Sequence, residues 1–183
     1  GYKVYALTFF YHQKHRREID SAKLLARYFR IKEHKFLHLN FLEKIVNSAL
    51  IHQKEKIPLG KTYQEIKKAK EIPSTYVPSR NIIFLSCALA YAESIDAEAI
   101  FIGANSIDYS HYPDCREEFI EKFQEMGKVG TKKGVEGGEI KIEAPLIKMS
   151  KAEIIKKGYE LGVPFELTWS CYLGKEKACG ECE

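Results

Sequence analysis

Four short apolar runs constrain this chain more than any other feature. Residues 3–10 (Lys-Val-Tyr-Ala-Leu-Thr-Phe-Phe), 35–39, 98–102 and 140–144 are rich in β-branched, aromatic and aliphatic residues. Each is too short to be a typical helix. Nearly continuous apolarity suits a strand buried on both faces. Helical segments separate the strands. Arg16–Arg30 repeats Ile19, Ala22, Leu25, Ala26 and Phe29 on one face, and Leu42–Leu50, Ile82–Glu93 and Asp114–Met126 read as further helices. A last helix opens at Ser150 and ends near Leu161. Strands buried on both sides and alternating with helices need crossover connections. The expected class is therefore α/β, with a parallel sheet and helices on both faces. Ligands of such sheets bind at the carboxyl ends of the strands. That rule singles out Phe9–His15, Gly103–Asp114 and Pro145–Met149.

Local signals punctuate the frame. Asp114 with Glu117, and Ser150 with Glu153, have the spacing of capping boxes. Gly162 suits the residue after a helix end, and Pro164 bars continuation. Residues 53–78, with Pro58, Gly60, Pro73 and Pro78, read as one long connection with a turn of helix near Tyr63–Lys70. Gly127–Gly138 reads as a glycine-rich loop. Hydrophobic residues make up 45% and charged residues 30% of the 183, as in a globular chain that buries a core. The net charge of +4 is spread among acids and does not argue for a nucleic-acid partner. No run approaches the length of a membrane-spanning helix, and no secretory signal opens the chain. The chain starts without Met and runs straight into a strand, which reads as a fragment.

The C-terminal tail carries the strongest chemical signal. It holds three of five cysteines: Cys179 and Cys182 form a C-x-x-C pair around Gly180, and Cys171 lies upstream. An odd count with this clustering is unlike a secreted disulfide framework and fits the reducing cytoplasm. Thiolates ligate zinc, and a closed structural site takes four ligands. The fourth is left to a residue beyond Glu183, to Cys87, to Cys115 or to a histidine, unless the site is open. A redox pair is the rival reading of C-x-x-C. Elsewhere, Arg80 falls in the first turn of a helix, where a cation opposes the helix dipole unless an anion accompanies it. The segment 103–116 packs Tyr109, Tyr112, Asp108, Asp114 and Arg116 after a strand end. Its rings suit a flat heterocycle, its carboxylates an N–H pair, and Arg116 an anion. His12, His15, Arg16 and Arg17 make a basic loop at another strand end. Cys87 reads as a core thiol, and Cys115 as a free thiol in a helix first turn, where its pKa can fall.

Together these stretches carry a resemblance. Residues 6–18 (Ala-Leu-Thr-Phe-Phe-Tyr-His-Gln-Lys-His-Arg-Arg-Glu), 72–81 (Ile-Pro-Ser-Thr-Tyr-Val-Pro-Ser-Arg-Asn), Gly103–Arg116 and Thr168-Trp-Ser-Cys171 through Cys182 run in the same order as in the 7-cyano-7-deazaguanine synthases. That family belongs to the PP-loop ATP pyrophosphatases. The resemblance implies a Rossmann-like domain over 1–165 and a zinc-binding tail over 166–183. It also implies a homodimer in the cytoplasm and ATP-dependent ligase chemistry, with ATP accompanied by Mg2+. The reaction implied turns 7-carboxy-7-deazaguanine and ammonia into the nitrile used for queuosine and archaeosine, modified tRNA nucleosides. Cys171, Cys179 and Cys182 become zinc ligands, with a fourth cysteine expected three residues past Cys182. Thr8, Phe9, Phe10, Arg80 and Gly103 are the ATP-side candidates. Tyr109, Tyr112, Asp114 and Arg116 are the deazapurine-side candidates, and no general base is assigned. The family's S-G-G-x-D-S phosphate loop and first strand are absent from this sequence. Two alternatives are another PP-loop ATPase acting on tRNA, and a non-enzymatic, zinc-stabilised nucleic-acid-binding module.

Overall fold

The structure is a computed structural model that describes residues 2–52, 54–60, 65, 71–105 and 112–182. It divides into two compact units. One comprises Gly1–Ile66, Ser74–Pro78 and Val163–Glu183; the other comprises Lys67–Pro73 and Ser79–Gly162.

In the first unit, strand β1 (Tyr5–Phe10) and strand β2 (Glu33–His38) pair in parallel, from Tyr5 opposite Glu33 to Phe10 opposite His38. Helix α1 (Arg17–Tyr28) makes the crossover that a parallel pair requires. Gln13 closes the turn after β1. Its Oε1 accepts the Tyr11 N–H at 2.9 Å, and its Nε2 donates to Glu18 at 2.7 Å and to the Phe9 carbonyl at 3.3 Å. The expected helix Leu42–Leu50 is one turn, α2 (Leu42–Ile45). Beyond it the chain bends inward, burying Ala49, Leu50 and Ile51. Ser48 is buried there too; its one hydroxyl proton is shared between the Ser74 and Thr75 carbonyls, both at 3.3 Å, and its oxygen accepts the Leu50 N–H. Of the turn of helix expected near Tyr63–Lys70, Glu65 is described and helical, and the rest lies outside the described residues.

In the second unit, helix α3 (Arg80–Ser94) leads to strand β3 (Ala99–Phe101), helix α4 (Glu117–Gly130) and short helix α5 (Lys132–Val135). Strand β4 (Lys141–Glu143) and helix α6 (Lys151–Glu160) follow. Strands β3 and β4 pair in parallel, from Ala99 opposite Lys141 to Phe101 opposite Glu143. Leu85, Leu89 and Ala92 of α3, Ile120 and Phe123 of α4, and Ile140 and Ile142 form one apolar core. The parallel α/β class is borne out. Among the described residues the strands are hydrogen-bonded as two pairs rather than as one continuous sheet.

Two local expectations need correction. Gly127–Gly138 is mostly helix rather than loop. Thr131 caps α5 by accepting the Gly134 N–H at 3.0 Å, and its hydroxyl donates to Gly127. Lys133 fastens the turn through Glu93, Asp96 and the Ala97 carbonyl. A Cβ on Gly134 would stand 2.1 Å from the Lys128 carbonyl oxygen, a backbone atom that no rotamer change moves aside. Gly134→Ala should therefore cost about 3 kcal/mol, the upper part of the usual overpacking range, read as a lower thermal midpoint. Secondly, Asp114 does not cap α4. Arg116 occupies that position without a side-chain bond, and Asp114 lies in a 3-10 turn, Pro113–Cys115.

The Ser150 box is present in full. Ser150 accepts the Glu153 N–H at 3.3 Å, while Glu153 accepts the Ser150 N–H at 2.7 Å. The N–H and hydroxyl of Ser150 hold the Glu153 carboxyl below its ordinary range. A lowered carboxyl contributes stability above its unfolded value, and that stability is lost as pH falls through the folded value. In acid melts of the intact protein, Glu153→Gln should flatten this part of the profile. Ser150→Ala should cost about 1 kcal/mol near neutrality.

Candidate functional site

The tail folds its three cysteines together. Their sulfurs lie within 4.8 Å of one another, with Cys171 and Cys179 3.5 Å apart. Four ligands at about 2.3 Å from one zinc place sulfurs about 3.8 Å apart, so the spacing fits. Gly180 turns the C-x-x-C with φ +71, a backbone conformation that favours glycine. Backbone amides point at sulfur: Cys179 N–H at Cys171, Glu181 and Cys182 N–H at Cys179, and Tyr172 N–H at Cys182, all at 3.3–3.4 Å. Such donors favour thiolates. Burial pushes the Cys171 thiol up, but the Cys179 and Leu173 amides and the neighbouring thiols bring it down to about 7. Cys182 is pushed up to about 11, by burial first and then by the two neighbouring sulfurs. A thiolate is thus favoured at Cys171 and opposed at Cys182. A divalent cation held by the three sulfurs would offset the negative charge gathered there. This donor set fits zinc. Among the described residues no other Cys, His, Asp or Glu joins it.

The tail is anchored within its own unit. Gly60 N–H donates to the Glu181 carbonyl at 2.9 Å, and Leu59 bridges Cys182. The Trp169 indole donates to the Cys171 carbonyl at 2.7 Å, and the Arg17 guanidinium lies 5.3 Å from the Trp169 ring. His15 packs against Gly174, and its ring lies 6.4 Å from that of Trp169. Its buried Nδ1 has no hydrogen-bond partner among the described residues.

Thr8, Phe9 and Phe10 form the carboxyl end of β1. The Thr8 hydroxyl bonds His34 Nε2 at 2.7 Å, and burial, then nearby Lys23, hold that imidazole below its ordinary range. The Phe10 carbonyl accepts from Leu39 at 2.7 Å, and its ring gathers Arg16 at 4.9 Å and His12 at 5.1 Å. His12 also pairs with Glu43 at 3.0 Å. The basic loop is thus engaged by rings and a carboxylate.

The other candidates belong to the second unit. Arg80 is half-buried in the first turn of α3, 6.0 Å from the Phe84 ring. Gly103 is exposed, and a Cβ there would meet nothing within 4 Å. Tyr112 is buried, Arg116 is exposed and donates to the Pro113 carbonyl at 3.2 Å, and Tyr109 and Asp108 lie outside the described residues. Asp114 is buried and bound to Asn81. Cys115 is a free thiol as expected, but it is buried in the Pro113–Cys115 turn rather than in a helix first turn, and it accepts from the Asn81 side chain at 3.0 Å. Asn81 closes the 72–81 stretch without an assigned role there, although an amide beside Ile82, Ile83 and Leu85 is a visible irregularity.

Parallel strand pairs with helical crossovers, together with a three-cysteine cluster, define a parallel α/β protein with a tail whose sulfurs could hold a metal. The chain belongs to the family described as queuosine biosynthesis protein QueC, whose family model matches residues 1–183. It is 52% identical to a 7-cyano-7-deazaguanine synthase of Acetivibrio thermocellus over 183 residues, covering all of this chain and 78% of that protein. It is 49% identical to 7-cyano-7-deazaguanine synthase 2 of Desulfitobacterium hafniense, covering 75% of it. It is also 49% identical to the 7-cyano-7-deazaguanine synthase of Nostoc punctiforme, covering 80% of it. No helix among the described residues is long and apolar enough to cross a membrane.

Proposed function

We propose that this protein makes 7-cyano-7-deazaguanine from 7-carboxy-7-deazaguanine, ammonia and ATP, as an ATP-dependent ligase of queuosine biosynthesis. The observation that carries this is the family match over 1–183, with relatives of that name at about half identity. The converged cysteines agree with it.

A carboxylate resists attack by ammonia because its charge repels a nucleophile and oxide is a poor leaving group. Attack of the carboxylate oxygen on the α-phosphorus of ATP forms an acyl-adenylate and releases pyrophosphate. Ammonia adds to the carbonyl carbon and AMP departs, leaving the amide. A second adenylation of the amide oxygen allows the nitrogen to lose its protons as AMP leaves with that oxygen, giving the nitrile. Thr8–Phe10 receive the adenine, Gly103 allows close approach, and Arg80 offsets charge developing on the phosphates. Tyr109, Tyr112 and Arg116 take the deazapurine; Asp114, also a candidate for that role, has its buried carboxylate bound to the Asn81 N–H and is not used to hold the ligand. Cys171, Cys179 and Cys182 hold zinc, which cross-links the tail when bound. Mg2+ accompanies ATP; among the described residues the only group of three or more metal-ligating side chains is the cysteine cluster, so no protein site is assigned to it. The enzyme acts in the cytoplasm as a homodimer.

The cofactor side of this reading is tested by product analysis of the nucleotide. AMP and pyrophosphate should appear only when 7-carboxy-7-deazaguanine is present. Release of ADP and phosphate instead would contradict adenylation.

A further inference from the structure

We propose that Asp114 is a positioning residue, holding the first turn of α3, and with it Arg80, from the segment that follows β3. This rests on the reading in which Arg80 meets phosphate.

Helix α3 starts without ordinary help. Its N-cap, Ser79, has φ +57 and makes no side-chain cap bond, and no acidic residue lies in the first turn. Arg80 there puts a positive charge at the positive end of the helix dipole. The carboxylate that corrects this comes from 33 residues further on. Asp114 Oδ2 accepts the Asn81 backbone N–H at 2.8 Å. The Asn81 amide returns the contact, donating to the Asp114 carbonyl at 3.2 Å and to Cys115 Sγ at 3.0 Å. Asn81, Asp114 and Cys115 are 7%, 4% and 2% exposed, so the bonds form in a dry setting where leaving one unmade is costly.

A local serine cap would satisfy the same amide without tying α3 to anything. Taking the cap from Pro113–Cys115 makes the placement of Arg80 depend on the segment assigned to the deazapurine. It also means that the start of α3 already has its anion. Phosphate is met by the Arg80 guanidinium rather than by the helix amides, and Asp114 acts through the helix rather than on a ligand.

The test compares Asp114→Ala, Asp114→Asn, Arg80→Ala and the Arg80→Ala/Asp114→Ala double variant of the whole protein. Asp114→Ala should lower kcat/KM for ATP by about 10-fold or more, leaving KM for 7-carboxy-7-deazaguanine nearly unchanged. Asp114→Asn, which keeps an acceptor oxygen, should recover part of the loss. In the Arg80→Ala background the same Asp114 change should cost no more than about 3-fold, because the residue it positions is gone. Asn81 amide hydrogen exchange should quicken in Asp114→Ala and less in Asp114→Asn. Losses that simply multiply in the double variant would overturn the proposal, as would a selective rise in KM for the deazapurine acid. Unchanged Asn81 exchange would overturn it as well. If the unaltered protein forms no nitrile, the functional reading fails, while amide exchange still decides whether Asp114 holds α3. If Asp114→Ala does not fold, Asp114→Asn carries the same comparisons.

Discussion

Changing Cys179 to Ser should reduce bound zinc from about one per chain to near zero and lower the thermal midpoint sharply. Cys179 sits between its partners: its sulfur is 3.5 Å from Cys171 and receives the Glu181 and Cys182 amides. Serine keeps the shape but supplies no soft thiolate. Structural zinc binding is itself folding free energy, worth roughly 10 kcal/mol or more near neutrality, so losing the metal removes a large share of what orders this segment. Cys87→Ser is the control. That thiol is half-buried in α3, and burial pushes its pKa up, so it is inert and distant in role from the tail. Its zinc content should stay near one. A Cys179→Ser protein that keeps both metal and midpoint would show that the cluster is not a metal centre.

Gly174→Ala should be nearly as damaging, for a different reason. Gly174 has φ +61, and a Cβ there would lie 2.1 Å from His15 Cβ and 2.3 Å from its Cγ. Both atoms are close to the His15 backbone, so no rotamer change of His15 relieves the first contact. The left-handed backbone adds about 1–2 kcal/mol and the clash about 1–3 kcal/mol, giving a total of about 2–5 kcal/mol. His15→Gly in the same chain should restore the steric part and leave the backbone part. If Gly174→Ala melts at the wild-type temperature and binds zinc equally well, the packing of the tail on His15 is wrong.

These two positions also show what a sequence makes legible. The three cysteines were readable because metal ligation demands a residue type and a short spacing, and both lie within twelve residues of sequence, 171–182. The strands and the Ser150 capping box were readable for the same reason: each depends on neighbours a few residues away. Gly174 was not readable, because its need for no side chain comes from His15, far away in the chain. Asp114 shows the same limit. Its spacing to Glu117 satisfies a local rule, yet the carboxylate serves Asn81 of a different helix, since a buried amide at the start of α3 competes better for it. The glycines of 127–138 suggested a loop by composition, but Thr131 and Lys133 supply side-chain bonds that hold helix there.

The central claim is nitrile formation, and it has a direct measurement. The intact, zinc-loaded protein is incubated with 7-carboxy-7-deazaguanine, ATP and 15N-labelled ammonium, and the products are read by mass spectrometry. The account predicts 7-cyano-7-deazaguanine carrying the label in its nitrile, with labelled amide appearing first. Unconverted acid from a folded protein with its metal in place would contradict it.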